Sequence, residues 1–196
     1  MSLYITRDSI RETWLDYPSP DGSAVIAFFE GCTHHCPGCQ SPTTWSINED
    51  HAVAPFEALE MIETFAKRCG TDKVVISGGD AFCYSRNDVI VLIHNLKAHG
   101  YHVCVYTGYY IADIDTFYKD FERYTSHFVL RPDYVKAGPY VQELKEEKWG
   151  KSDEEFRLAT KNQGWWRCEA SREKGCYFVA VEDSKDNVLY FPEEEY

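Results

Sequence analysis

Three of the chain's eight cysteines fall within eight residues, in the run Cys32-Thr33-His34-His35-Cys36-Pro37-Gly38-Cys39, and the other five are scattered. Thiolates are strong ligands for soft metals, and a tight cysteine cluster in a chain without a secretory leader reads as metal or redox chemistry before it reads as disulfides. Three thiolates on one short loop can hold three irons of a 4Fe–4S cluster. Such clusters normally take four protein ligands, and no fourth cysteine is near in sequence, so one iron would stay open to an outside ligand. Pro37 and Gly38 help the loop turn, and Gly38 lets the backbone come close to a cluster. The competing reading is zinc, with His34 or His35 completing a Cys₃His tetrahedron. It is weakened by the absence of a second CxxC pair, since Cys168 and Cys176 are separated by seven residues. A second feature is Val74-Val75-Ile76 running into Ser77-Gly78-Gly79-Asp80, where paired glycines let backbone groups approach a ligand. Asp80 is a candidate ligand contact there, with an N-cap role as the alternative. Tyr106-Thr107-Gly108-Tyr109 ends another apolar run and would border the same pocket.

These residues need elements to position them. Apolar runs at 24–29, 73–77, 101–107 and 127–130 read as buried strands. Helical stripes lie between them. Pro55 opens one with Ala58, Ile62 and Phe65, and Gly70 ends it. Asn87 or Asp88 caps a second through Val89, Leu92, Ile93 and Leu96 to Gly100. Ile111, Ile114, Tyr118 and Phe121 mark a third. Strand–helix alternation indicates βα units around a parallel sheet, whose chemistry sits on loops at the carboxyl ends of strands. The cysteine loop follows the first of these strands. Residues 132–164 read as polar and irregular, with a charged stretch at 145–151. Segments 176–182 and 187–191 read as a hairpin around 183–186, and the end is acidic. Cys69, Cys83 and Cys104 read as small buried hydrophobes. Trp165, Trp166, Cys168 and Cys176 read as a packed hairpin over a sheet edge.

Composition bounds the function. The chain has 196 residues, 44% hydrophobic and 27% charged, so a packed core is expected. A net charge of −12 argues against nucleic acid or an anionic membrane as the main partner. No apolar run approaches the roughly 18 residues of a membrane span, and a cytoplasmic location is expected. No GxSxG elbow or Walker A sequence supports a hydrolase or a P-loop NTPase.

Taken together, the CxxxCxxC loop and the GGD strand end resemble the radical S-adenosylmethionine superfamily. Gly31-Cys32, Ser41-Pro42-Thr43-Thr44-Trp45, Tyr106-Thr107-Gly108-Tyr109, Gly138-Pro139-Tyr140 and Asn162-Gln163 are similar to motifs of the activating proteins of anaerobic ribonucleoside-triphosphate reductase. The resemblance spans about residues 14 to 164. It implies a 4Fe–4S cluster on Cys32, Cys36 and Cys39, with S-adenosyl-L-methionine chelating the open iron. Gly38, Cys39 and Gln40 would flank the adenosine side, and Gly78, Gly79 and Asp80 would hold the methionine end. It also implies reductive cleavage to a 5′-deoxyadenosyl radical that takes hydrogen from a glycine in the C-terminal loop of the reductase large subunit. Electrons would come from a low-potential donor such as flavodoxin. No side chain need act as a general base. The implied fold is an incomplete βα barrel, since a full one takes about 250 residues. Residues 1–164 would form the activase core and 165–196 a C-terminal hairpin extension on the same domain. Other readings are an activase of another glycyl-radical enzyme, a small-molecule radical enzyme, or a zinc-stabilised interaction module. The chain departs from the family pattern at Gln40, where an aromatic residue is usual, and at Ala81, where proline is. It departs again at Lys136-Ala137, in place of an acidic-glycine approach, and at Ala159-Thr160.

Overall fold

The computed structural model describes residues 2–18, 23–145, 158–171 and 175–181. The strand expected at 187–191, the turn at 183–186, the charged residues 146–151 and the acidic end lie outside them. The chain forms an α/β fold built on a mixed sheet. Nine strands are present among the described residues: β1 (Leu3–Tyr4), β2 (Ile10–Thr13), β3 (Ala24–Phe29), β4 (Ala52–Val53), β5 (Lys73–Gly78), β6 (His102–Thr107), β7 (Tyr134–Ala137), β8 (Gly164–Ser171) and β9 (Gly175–Ala180). Three helices join the central strands: α1 (Pro55–Cys69), α2 (Ala81–Ala98) and α3 (Ile111–Thr125). The main sheet runs β2-β3-β5-β6-β7-β8-β9, and β1 pairs with β4 in a small ribbon. Strands β3, β5, β6 and β7 are parallel, whereas β2, β8 and β9 add antiparallel edges.

Side-chain alternation along the strands makes two different faces. Val25, Ala27, Phe29, Val74, Ile76, Val103, Val105, Val135 and Ala137 pack with the apolar stripes of the three helices into the main core. Ala24, Ile26, Val75 and Cys104 point to the opposite face, where Leu158 and Trp165 cover part of them. Beyond that cover the second face opens into the cavity described below. Arg131 is buried and bonds Asp115 at 2.6 Å, which fixes the chain entering β7 against α3. Lys97 and the Val103 amide both donate to Asp133, tying α2, β6 and β7 together.

Several expectations are corrected. Residues 127–130 form no strand; Val129 packs into the core from an irregular segment, and the fourth parallel strand is β7, inside the stretch read as irregular. Helix α2 starts at Ala81 with Asp80 as its N-cap, not with Asn87 or Asp88, because the Asp80 carboxylate caps the Phe82 amide at 3.1 Å. A non-helical Ser85 (φ −136°, ψ 45°) kinks its first turns, which masks the early start in the sequence pattern. Residues 176–180 lie in β9, which pairs with β8 and so puts Trp165, Trp166, Cys168 and Cys176 in one hairpin, as the sequence suggested. The expected pairing with 187–191 falls outside the described residues.

The junction of β3 and β5 depends on a glycine. Gly78 sits at φ +104°, and a Cβ there would lie 2.5 Å from the Phe29 carbonyl oxygen and 2.6 Å from its nitrogen. Backbone cannot move aside cheaply, and the left-handed conformation adds strain for any larger residue. Gly78→Ala is expected to cost about 3 kcal/mol. Gly70→Ala, at a helix end with nothing within 4 Å of the added methyl, is expected to cost about 1 kcal/mol. Urea denaturation of the two variants side by side checks the difference.

Candidate active site

The loop after β3 carries Cys32, Cys36 and Cys39, all three as free thiols. Its entry is pinned by backbone bonds to the Thr44-Trp45 segment: the Gly31 amide donates to the Thr44 carbonyl at 2.8 Å, and the Cys32 amide to that of Trp45 at 3.0 Å. The Ser41–Trp45 motif therefore works as a clamp on the cysteine loop. Further along, the Cys39 amide closes a turn onto Cys36, and the Ser41 amide donates to the Cys39 sulfur at 3.4 Å. The β5 end interlocks with the same loop. The Asp80 amide donates to the Gly31 carbonyl, and a Cβ on Gly79 would meet that oxygen at 2.5 Å.

One cavity of about 320 Å³ gathers these parts. It is lined by Cys32, Cys36, Cys39 and Gln40 from the first loop, by Gly78, Gly79 and Asp80 from the second, and by Tyr106, Thr107 and Gly108 from the third. Gly38 is not in the lining; a Cβ on it would meet the Gln142 side chain. The far wall comes from Lys136, Gly138, Tyr140 and Gln163. Gln163 holds that wall in shape by donating to the Gly138 carbonyl at 3.0 Å and accepting from the Ala159 and Thr160 amides. Asn162 donates to the Pro139 carbonyl beside it. Trp45 also lines the cavity, and its buried indole N–H has no hydrogen-bond partner among the described residues.

Asp80 is 2% exposed and organises the floor. One carboxylate oxygen takes the Phe82 amide; the other takes the Thr107 hydroxyl at 2.7 Å, the Gly108 amide at 2.8 Å and His34 Nε2 at 2.9 Å. A carboxylate offers about four acceptor sites, so protein donors fill this one. The Asp80 carboxylate, together with the Cys83 sulfur, pushes the His34 imidazolium up to about 10. Thr33 donates to Cys83 through both its amide and its hydroxyl, at 3.4 and 3.2 Å. Contact with Cys83, then burial, raises the Cys32 thiol, while Cys83 is lowered by the same contact. Cys83 is thus no passive core residue: it stands beside the cysteine loop, a position its sequence neighbours gave no sign of.

The ligand geometry separates the two metals that the sequence left open. A tetrahedral zinc ion needs its donors close to one another around a single centre. Among the described residues the grouping that meets this is His34, Asp80 and Cys83, with ligand atoms within 4.8 Å, and hydrogen bonds within the protein already engage it. Cys32, Cys36 and Cys39 form no such grouping. All three line one cavity, where each thiolate could take a different iron. Neither loop histidine joins them, because His34 is held by Asp80 and the His35 ring lies against Trp45, 4.9 Å between centroids. The donor set therefore fits a 4Fe–4S cluster.

Comparison with known proteins agrees with this geometry. Residues 20–158 match the family model described as a 4Fe-4S single cluster domain. The chain belongs to that family. It is also similar to the anaerobic ribonucleoside-triphosphate reductase-activating protein of Escherichia coli, 28% identical over 109 residues that cover 52% of this chain and 68% of that protein. The protein of the same description from Enterobacteria phage T4 is 23% identical over 154 residues, covering 78% and 93% of the two chains. That of Vibrio cholerae is 27% identical over 138 residues, covering 66% and 81%. Among solved structures, QueE from Escherichia coli overlaps 54% of this chain and 52% of its own, at 22% identity and a TM-score of 0.40. The family match and these relatives bear out the resemblance read from the motifs and the reading of the chain as an iron–sulfur enzyme. Among the described residues, no helix is long and apolar enough to cross a membrane.

Lys136, on the far wall, has an unusual setting. It is 7% exposed, its Nζ lies 4.8 Å from the centre of the Tyr106 ring and 6.0 Å from that of Trp165, and burial pulls its ammonium down to about 8. Asp16 and the Cys104 thiol are the titrating groups that act on it in the opposite sense. In the unfolded chain it titrates near 10.4. Below pH 8 both states are charged and the folded one carries the desolvation cost. Between about 8 and 10.4 the unfolded state holds more protons, so stability rises with pH across that window. Lys136→Met is expected to gain about 2 kcal/mol at pH 7 and to lose that rise. Thermal or urea unfolding at pH 7 and pH 10 reads both effects.

Proposed function

We propose that this chain is a radical S-adenosylmethionine activating enzyme that generates the glycyl radical on anaerobic ribonucleotide reductase. The observation that carries the reading is the shared cavity: the three loop thiols, the Gly78-Gly79-Asp80 strand end and the Gly138–Gln163 wall all face one space. The relatives' printed descriptions name the reductase they activate, and that partner is carried to this chain here as part of the proposal.

In this reading Cys32, Cys36 and Cys39 hold three irons of a 4Fe–4S cluster. When bound, the cluster and S-adenosyl-L-methionine supply the one-electron cleavage and the hydrogen abstraction. The residues of the chain supply position and shelter. The Ser41 amide, donating to the Cys39 sulfur, stabilises thiolate charge at the cluster's edge. Gly78 and Gly79 offer side-chain-free backbone to the methionine end. Asp80 serves that end as a positioning residue, since its carboxylate is spent on holding His34, Thr107 and Gly108 in place. Gln40 borders the adenosine side, and Gly38 acts by letting the loop turn under Gln142. No general base is required. In this reading the four parallel strands would form an incomplete barrel whose open side would admit a protein loop, here the glycine loop of the reductase large subunit. A low-potential donor such as flavodoxin would reduce the cluster, in the cytoplasm.

The test of the partner is direct. The reconstituted, reduced chain is mixed with the reductase large subunit and S-adenosylmethionine under anaerobic conditions. An organic radical doublet on the large subunit, absent when the reductase glycine is replaced by alanine, is the expected result. Cofactor cleavage without any such signal would move the chain to a different substrate.

A further inference from the structure

Lys136 stands midway along β7, opposite Tyr106 on β6 and Trp165 on β8. Its neighbours Val135 and Ala137 enter the helix-covered core, so Lys136 faces the other side of the sheet, into the cavity. A lysine that merely packs its stem would extend its amine to water; this one is 7% exposed. The Tyr106 and Trp165 rings offset part of the cost of burying the charge. They accept none of its three N–H donors in the way a carboxylate would. Among the described residues no carboxylate pairs with it. Asp16 lines the same cavity, but its carboxylate bonds the Thr13 hydroxyl and lies beyond ion-pair distance of Lys136. A buried cation without an anionic partner is costly to keep. A ligand that brings the anion accounts for it.

We propose that Lys136 is the anion-recognising residue of the cavity and binds a carboxylate of the molecule that occupies it. A single ammonium between two rings matches one monoanionic group, and Asp16 and Asp80 on the same walls disfavour a multiply charged phosphate. The proposal rests on the cavity's reading as the cofactor and substrate site. The carboxylate comes either from S-adenosylmethionine or from an acidic residue of the substrate protein loop.

Two variants test this. Lys136→Met removes the charge and keeps the stem between the rings, and Lys136→Arg keeps the charge. Anaerobic calorimetry on the reconstituted chain measures affinity for S-adenosylmethionine and for its decarboxylated analogue. Affinity for the reductase large subunit is measured in parallel. If the cofactor is the source, Lys136→Met weakens S-adenosylmethionine at least tenfold, leaves the decarboxylated analogue within twofold of wild type, and Lys136→Arg restores most of the loss. If the substrate loop is the source, cofactor affinity stays within twofold while affinity for the large subunit falls at least tenfold in Lys136→Met and recovers in Lys136→Arg. Both affinities within twofold of wild type would overturn the proposal and leave Lys136 a packing residue. A wild-type chain that bound neither ligand would sink the site reading itself, and the proposal with it. A melting curve of Lys136→Met at or above wild type confirms that lost binding is not lost folding.

Discussion

A Cys36→Ala chain reconstituted anaerobically with iron and sulfide is expected to hold no stable 4Fe–4S cluster and to make at least roughly 100-fold less 5′-deoxyadenosine than wild type. In the proposed site each of the three loop thiols would carry a different iron, so losing one would leave two irons without protein ligands instead of one. The neighbouring histidines do not replace Cys36: His34 is held by Asp80, and the His35 ring lies against Trp45. The informative companion is Cys83→Ala. Cys83 touches Cys32 and accepts from Thr33, so a four-thiol site would need it, whereas a three-thiol site would not. Cys83→Ala is expected to keep the full iron and sulfide content and the cluster's visible absorbance. Equal loss in both variants would mean that the ligand set has been misassigned.

Asp80→Ala is expected to be the most damaging substitution outside the cluster loop, lowering stability by about 4 kcal/mol. The figure follows from the partners left behind. Two backbone amides (Phe82 and Gly108), the Thr107 hydroxyl and His34 would all lose their acceptor in a closed environment. Each such loss costs about 1–3 kcal/mol, and water entering the vacated space recovers some of the sum. Helix α2 would also lose its N-cap. Asp80→Asn keeps one acceptor oxygen and the shape, and is expected to cost about half as much. Urea denaturation measures both. An Asp80→Ala chain as stable as wild type would show that the carboxylate does not hold the three loops together.

The sequence made the chemistry more legible than the frame around it. Strand β3 and the start of β5 are continuous apolar runs because both faces of a central parallel strand are covered, and they can be placed to within a residue. The cysteine spacing is local and needs no tertiary context. Strand β7 escaped for the opposite reason. It has four residues, Tyr134–Ala137, and its inward member Lys136 breaks the apolar pattern because it faces the cavity instead of the core. Residues 127–130 misled because Val129 is buried from an irregular segment, with Arg131 held by Asp115 just beyond it. The early start of α2 was hidden by the Ser85 kink. The positions of Cys83 and Gln163 are products of the tertiary fold: a thiol fifty residues from Thr33 and a glutamine twenty-five from Gly138 meet their partners only when the loops converge. The Thr44-Trp45 and Asn162-Gln163 motifs were visible in sequence, and their role as clamps was not. Trp165, Trp166, Cys168 and Cys176 were legible as one hairpin, but the extent of β8 from Gly164 was not, because two adjacent tryptophans read as packing residues and not as strand alternation.

The central claim is that the loop thiols, assembled with iron, cleave S-adenosylmethionine. Its most direct measurement is anaerobic reconstitution, dithionite reduction and quantification of 5′-deoxyadenosine against time, with Cys36→Ala alongside. The account predicts cluster-dependent product from the wild type, with or without a partner protein, and background from the variant. A wild-type chain loaded with four irons and four sulfides per molecule that released no 5′-deoxyadenosine, alone or with the reductase, would contradict it.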